Sequence, residues 1–551
     1  MALLVAAPAG LTASPRNEIL RHVPDDVGFC AVFTGLPAAV ERIRESPFAA
    51  ALSRAAARGA PGVKELEDLK QVSETVRKLL KLEWKELADI VPGEAFAFAY
   101  RPGPPGKPDQ EQALFLLRSR DGKALEKLVN TLNALQQASG ELLSKEDVSF
   151  KGVKYVRRVE KTVTNFYYLS GPVLLFTAQE AILKQAIEQG QALPKDAVPP
   201  MTARLQALGL EKAEAALVLC PRAFDPHLGA ESKEAKVLAA YWKALDGAGL
   251  GLSVGRDAAL TLALTGKTSK LPSAGRALFE GAASTSSLWG SFPDKALFAL
   301  AARTDLTALY GAAVEVMTPE NRKALDRELD RWITSFAGGK NAVKEIFPTA
   351  GPDWGICLLL PPAESKEAQP RFLAAIKLKP EEDVAAALGD AMRAWAHLAL
   401  ASLTDPKRFP GNTAYIATRG KGKDEVFSIE ARKGLPQGVV PSWALRAGHL
   451  LVGTSPDLLA AFKPGSAPAG SILLARASAS AWRQFLKEQR GPLTQAFVER
   501  DKVGKEEAEA RLNAADTLLS LIDTVELTRH EGKSRVAFTL SIRFSAPLRK
   551  E

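Results

Sequence analysis

The stretch "GPVLLFTAQEAILKQAIEQG", residues 171–190, decides how the chain is read. A glycine opens it and a short apolar run follows. A threonine closes the run, and an acidic residue then starts a stretch with apolar residues three and four apart. That change of period is the passage from strand to amphipathic helix. Residues 448–465, "GHLLVGTSPDLLAAFKPG", repeat the pattern.

The repetition extends in both directions. "HVPDDVGFCAVFTGL" from His22 is echoed by "SFPDKALFALAARTDL" from Ser291. "GEAFAFAYRP" and "QALFLLRSRDGKALEKLVNTL" match "GPDWGICLLLPP" and "RFLAAIKLKPEEDVAAALGDAM". Arg118 aligns with Lys377, Leu125 with Val384 and Phe150 with Phe409, each 259 residues apart. Gly171 and Gly448, like Asp246 and Asp523, are 277 apart, so the alignment assigns the second copy an insertion of about 18 residues within 419–443. A repeat of about 270 residues is a whole domain rather than a solenoid unit. The expected organisation is a signal-segment remnant over residues 1–16, a first α+β copy over 17–290 and a second over 291–551.

Periodicity gives each copy the order strand, helices, two strands, helix, three strands, helix. "LPAAVERIRESPFAAALSRAAA" and "GVKELEDLKQVSETVRKLLKL" read as helices, the second with Val63, Leu66, Leu69, Val72, Val76 and Leu79 on one stripe. Asp121 is placed as the N-cap of "DGKALEKLVNTLNALQQ". The C-terminal strands alternate around a turn at "HEGK". The expected fold class is α+β: two tandem copies of a mostly antiparallel sheet with helices packed on one face.

The features "VPDDVGFCAVF", "ESPFAAAL" and "LLFTAQEAILKQAI" resemble an uncharacterised domain-of-unknown-function family of duplicated bacterial envelope and exported proteins. The resemblance implies export and transfers no catalytic residue. "MALLVAAPAGLTASP" agrees in having an apolar stretch followed by small residues, although it is short and carries no basic start. The expected location is exported or periplasmic, with the cytoplasm as the alternative.

Composition narrows the chemistry. A chain of 551 residues with 46% hydrophobic and 25% charged residues has enough apolar surface to fold throughout. No run of ~18 apolar residues is available to span a bilayer. The net charge of +9 is dispersed, without an arginine-rich arm or an aromatic-plus-basic RNA signature, so no specific nucleic-acid binding is expected. Cys30, Cys220 and Cys357 each sit in an apolar run and read as buried thiols rather than a disulfide framework.

Several motifs look like chemistry. Gly251-Leu-Ser253-Val-Gly255 matches a nucleophile elbow, but a helix precedes it and a strand follows, the reverse of what an elbow needs. "GAGLGLSVG" fails as a dinucleotide loop for the same reason. "EGKSR" at Glu531 lacks the glycine a phosphate loop requires at Leu527. His22, His227, His397, His449 and His530 show no ligand spacing. Asp25-Asp26 and Glu381-Glu382 read as caps. Trp84, Trp242, Trp332 and Trp395 read as core, while Trp443 in the insertion is expected at the surface.

The sequence therefore assigns no catalytic, cofactor-binding or metal-ligating residue. The expected function is a non-catalytic exported or envelope-associated binding or scaffolding protein. The alternatives are an enzyme whose site is assembled from distant residues at an inter-copy cleft, and a cytosolic protein-interaction module. The partner is left open, with the 419–443 insertion read either as an extra edge hairpin without a partner or as a protein-binding edge. There Lys421, Lys423, Arg432 and Lys433 join Val426, Phe427, Val439, Val440 and Trp443, and an added edge hairpin would accept pairing.

Overall fold

The computed structural model describes residues 14–45, 90, 93–194, 196–229, 232–255, 257–281, 284–334, 339–361, 369–379, 382–468, 470–532 and 534–545. Residues 1–16 lie mostly outside this set, as do the stripe from Val63 to Leu79 and Trp84.

Among the described residues, twenty strands form one sheet. The first ten are β1 (Phe29–Thr34), β2 (Ala95–Arg101), β3 (Gln112–Arg118), β4 (Leu142–Phe150), β5 (Val153–Glu160), β6 (Thr164–Ser170), β7 (Val173–Thr177), β8 (Ala215–Leu219), β9 (Leu245–Val254) and β10 (Ala258–Gly266). The rest are β11 (Phe298–Arg303), β12 (Ala350–Leu359), β13 (Arg371–Leu378), β14 (Ala414–Arg419), β15 (Val426–Ala431), β16 (Ser442–Arg446), β17 (His449–Gly453), β18 (Ile472–Ser478), β19 (Ile522–Gly532) and β20 (Arg535–Phe544).

Every pairing is antiparallel. Across the N-terminal half the spatial order is β4-β5-β6-β7-β3-β2-β1-β8-β9-β10. Across the C-terminal half it is β14-β15-β16-β17-β13-β12-β11-β18-β19-β20. β1 thus lies between β2 and β8, and β11 lies between β12 and β18. The halves meet along β10 and β20, with Leu260 opposite Leu540 and Leu262 opposite Phe538. The Thr261 and Thr539 hydroxyls lie 3.1 Å apart on this seam.

The opening stretch forms as read. β7 precedes the helix Glu180–Ala192, and its counterpart β17 precedes the short helix Pro456–Ala460. The preceding hairpins turn at Gly171-Pro172 and at Ala447-Gly448, because Ser170 pairs with Val173 and Arg446 with His449. Gly171 therefore takes the turn position of Ala447, one residue from the glycine-to-glycine alignment. Both residues have positive φ, 55° and 52°. Asp121 caps the helix Gly122–Ala138, accepting from the amides of Lys123 and Ala124 at 2.8 and 3.2 Å.

Four expectations are corrected. First, helices cover both faces. Ile182 and Leu183 pack with Leu116 and Leu175. Leu125 and Leu128, from the helix Gly122–Ala138, pack with the very next residues of the same strands, Leu117 and Leu174. Successive strand residues point to opposite sides, so these two helices sandwich the sheet. Second, β4 is an additional strand; Lys145, Glu146 and Asp147 interrupt its apolar alternation, as suits a sheet edge. Third, 419–443 holds no added hairpin. β15 and β16 occupy the places that β5 and β6 hold in the other half, and β14 is the edge. The extra residues lie instead in the connections 404–413, 420–425 and 432–441, each longer than its counterpart, and in the helix Glu382–Leu403, 22 residues long against 17 in Gly122–Ala138. Phe150 ends β4 whereas Phe409 precedes β14, so that pair does not correspond either. Fourth, the last turn falls beyond Glu531-Gly532, since Gly532 still pairs with Arg535.

Two principal cores result. One gathers Ile19, Val32, Leu114, Leu175, Leu183, Leu205 and Val218, and it includes Ala537 from across the seam. The other gathers Leu288, Trp289, Phe292, Cys357, Leu373, Leu451 and Leu473.

Candidate functional site

The middle of the sheet is built asymmetrically. On β9, Gly249 and Gly251 face Leu208 and Leu210. A Cβ at Gly249 would come within 2.7 Å of Leu210 Cδ1, so the core side admits no side chain there. All the hydrocarbon of β9 in this region, Leu250 and Leu252, is thereby placed on the opposite face.

That face carries two continuous cross-strand rows. In the first, Phe176, Phe115, Phe98, Ala31, Leu217, Leu250, Leu262 and Phe538 stand opposite one another in turn. In the second, Leu174, Leu117, Phe96, Phe33, Ala215, Leu252, Leu260 and Leu540 do the same. Eight strands at about 4.8 Å spacing give a ribbon roughly 34 Å long. One end is an aromatic ladder, with Phe98 and Phe115 ring centroids 4.8 Å apart and Phe115 and Phe176 6.5 Å apart. The helix Gly122–Ala138 and Ile90 cover part of the second row at this end. The centre is open: Phe115, Leu217, Leu250, Leu252, Leu260, Leu262 and Leu540 are each 40–45% exposed. No member of either row carries a charge. At the margin, burial and a hydrogen bond to Glu111 raise the Tyr100 phenol above its ordinary pKa.

A polar groove of about 560 Å³ lies on the other side of β1, lined by Ser14, Asn17, Thr34, Thr202, Glu211 and others. Its most buried charge is Arg16, whose pKa burial lowers against the opposing pull of Glu214 and Glu211. The guanidinium donates to Glu211 O at 2.7 Å, to Thr34 Oγ1 at 2.6 Å and to Ala213 O. Thr202 donates to Asn17 Oδ1 at 2.8 Å. Arg118 pairs with Glu18 and Glu94 beside it. These groups tie the first helix to β1, β3 and the start of β8; their bonding capacity is spent on the fold.

The residues singled out from sequence are not brought together. Ser253 lies in β9 opposite Ala259, and the chain returns directly as β10 rather than entering a helix. "EGKSR" joins the end of β19 to the start of β20, with Glu531, Gly532 and Arg535 in the ladder. The histidines occupy separate elements. His22 Nδ1 meets Ala186 O at 3.1 Å, and His227 Nε2 meets Gly103 O at 2.9 Å. His449 Nδ1 meets Ala447 O at 2.9 Å, His530 meets the Thr528 hydroxyl at 3.0 Å, and His397 lies within the helix Glu382–Leu403. Among the described residues no group of three or more His, Cys, Asp or Glu is placed to hold a metal ion. Asp26 pairs with Arg101, and the Asp25 carboxylate accepts from Gln189 at 3.2 Å. Of Asp246 and Asp523, the second lines an open groove with Asp257 and Arg543.

The three cysteines are free and buried. Burial pushes the Cys30 and Cys357 thiols up to about 12. Trp443 is a correction: it is 2% exposed and stacks on Phe427 at 5.5 Å. Trp395 corrects in the other direction, at 45% exposed. Among the described residues no helix is long and apolar enough to cross a membrane.

No family model, curated protein or solved structure matches the chain. The apolar rows were missed because strand alternation announces a half-buried face without saying which half. The usable signal was the Gly-Leu-Gly-Leu alternation of residues 249–252, which forces one face to be bare backbone and the other aliphatic.

Proposed function

We propose that the protein is a non-catalytic binding and scaffolding protein, exported or envelope-associated, assembled from two tandem copies of one α+β unit over 17–290 and 291–551. The tandem reading is supported by the matching strand orders and by the places of β1 and β11, which follow Pro24 and Pro293. The location rests on the family resemblance and the apolar N-terminus. One observation carries the binding reading: the open, uncharged Leu/Phe face at the centre of the sheet. Monomeric proteins keep contiguous apolar patches to a few hundred Å², and larger ones mark surfaces that bind. The enzyme alternative has less support, because Arg16 and Glu94, the most deeply engaged charges at the polar groove, are tied into structural bonds with Thr34, the Glu211 carbonyl and Arg118.

The test is fluorescence of an anilinonaphthalene sulfonate probe with the native protein. Strong enhancement is expected from dilute, sub-micromolar protein, in which the face is free, and Leu217→Glu with Leu250→Glu should remove most of it while the thermal midpoint stays within a few degrees. Enhancement unchanged in that folded variant would show that the face is not the binding surface.

A further inference from the structure

The open face is large enough to ask what covers it. At roughly 150–200 Å² per large apolar side chain, the seven residues that are 40–45% exposed present about 500 Å². The partly exposed neighbours Phe98, Phe176, Phe33 and Phe538 bring this to about 700 Å², within the range of one partner's share of a standard stable interface.

Two further features bear on the occupant. The rows hold no charged or hydrogen-bonding side chain, so a surface of the same composition can close on them without leaving a buried group unpaired. The patch also continues across the seam, where Leu260 faces Leu540 and Leu262 faces Phe538. Antiparallel sheet faces of this kind pack on one another about 10 Å apart with side chains interleaved. An isologous pair needs only one self-complementary patch, which a flat hydrocarbon ribbon supplies.

The geometry points to a second copy of this chain as the occupant: two molecules close face to face through the Leu/Phe rows of β8, β9, β10 and β20. This rests on the reading of that face as the binding surface. The dimer dries the leucine rows and leaves the polar groove beside Arg16 facing outward.

The experiment is light scattering of the full chain after size exclusion, from about 1 to 100 μM. The expected mass is twice 59.0 kDa at micromolar concentration. In the double variant Leu250→Glu, Leu262→Glu, four carboxylates meet in a dry interface. Its dissociation constant should rise about 100-fold or more, with the circular dichroism unchanged. The control substitutions Leu143→Glu and Leu398→Glu, at exposed sites outside the rows, should leave the dimer intact. A wild-type chain that stays monomeric at 100 μM overturns the proposal without any variant. So does a dimer that survives in the folded double variant, or one that the control substitutions dissociate. A monomer that still binds the naphthalene probe through the rows sinks the second copy alone and leaves the binding reading standing. A monomer that binds no probe sinks both.

Discussion

At the scale of single residues, the titrating groups of this chain are structural. His22 and His449 both have pKa values lowered from 6.5, chiefly by burial, with Arg21 and Lys377 adding to the effect. In the unfolded chain both imidazoles protonate near 6.5, before the folded ones do. The stability that comes from keeping them neutral is therefore complete above about pH 6.5 and is lost as pH falls toward the folded values. The urea midpoint of unfolding should fall between pH 7.5 and 5. The variant His22→Asn, His449→Asn should show a shallower slope, and identical slopes would assign the pH dependence to other groups. Sequence exposed these two histidines as unpaired with any ligand motif. It could not expose their burial, because the neighbours that cover them, Ala186 over His22 and Phe462 against His449, belong to other elements of the chain.

At the scale of elements, the segment 419–443 shows what alternation can and cannot say. "EVFSIEAR" was readable as a strand, and β15 is one. Its position was not readable, since being an edge or an interior strand depends on which neighbour supplies the second ladder. β15 has ladders on both sides, and Val426 and Ile429 are 2% and 1% exposed. Trp443 packs in the same cluster as Ala396 and Leu403 of the long helix. Trp443→Ala should therefore cost about 3–5 kcal/mol, read as a lowered denaturant midpoint. Excising Lys421 to Pro441 should unfold the C-terminal half rather than yield a folded protein that has lost a partner. A folded deletion variant with an unchanged midpoint would return the segment to the surface. β4 teaches the converse: its charges hid it from a periodicity reading because an edge strand needs only one apolar contact side.

At the scale of the whole molecule, the seam makes one sheet of two halves. Ala537 of β20 packs into the N-terminal core beside Ala263, so the halves share apolar contacts as well as a ladder. A single calorimetric transition is expected. Thr261→Pro removes a ladder bond in a central strand and should split that transition in two by weakening the coupling between halves. One unchanged transition would mean that the seam contributes little. How the sheets are joined was beyond the sequence, because a register between strands some 280 residues apart leaves no local mark.

What the sequence determined by itself is most of the elements and their order, β4 excepted: strands from two-residue alternation, helices from three-to-four spacing, most turns from glycine, and Asp121 as a cap. Each is dictated by contacts within a few residues. The tertiary structure alone decided which face of each strand is covered and by what. Alternation puts apolar side chains on one side, but only packing says whether that side meets Leu208 and Leu210 or solvent. For β9 the glycines yielded the inner face to those leucines. Its own leucines were left on the outside, and the surface most suited to binding arose from that exchange.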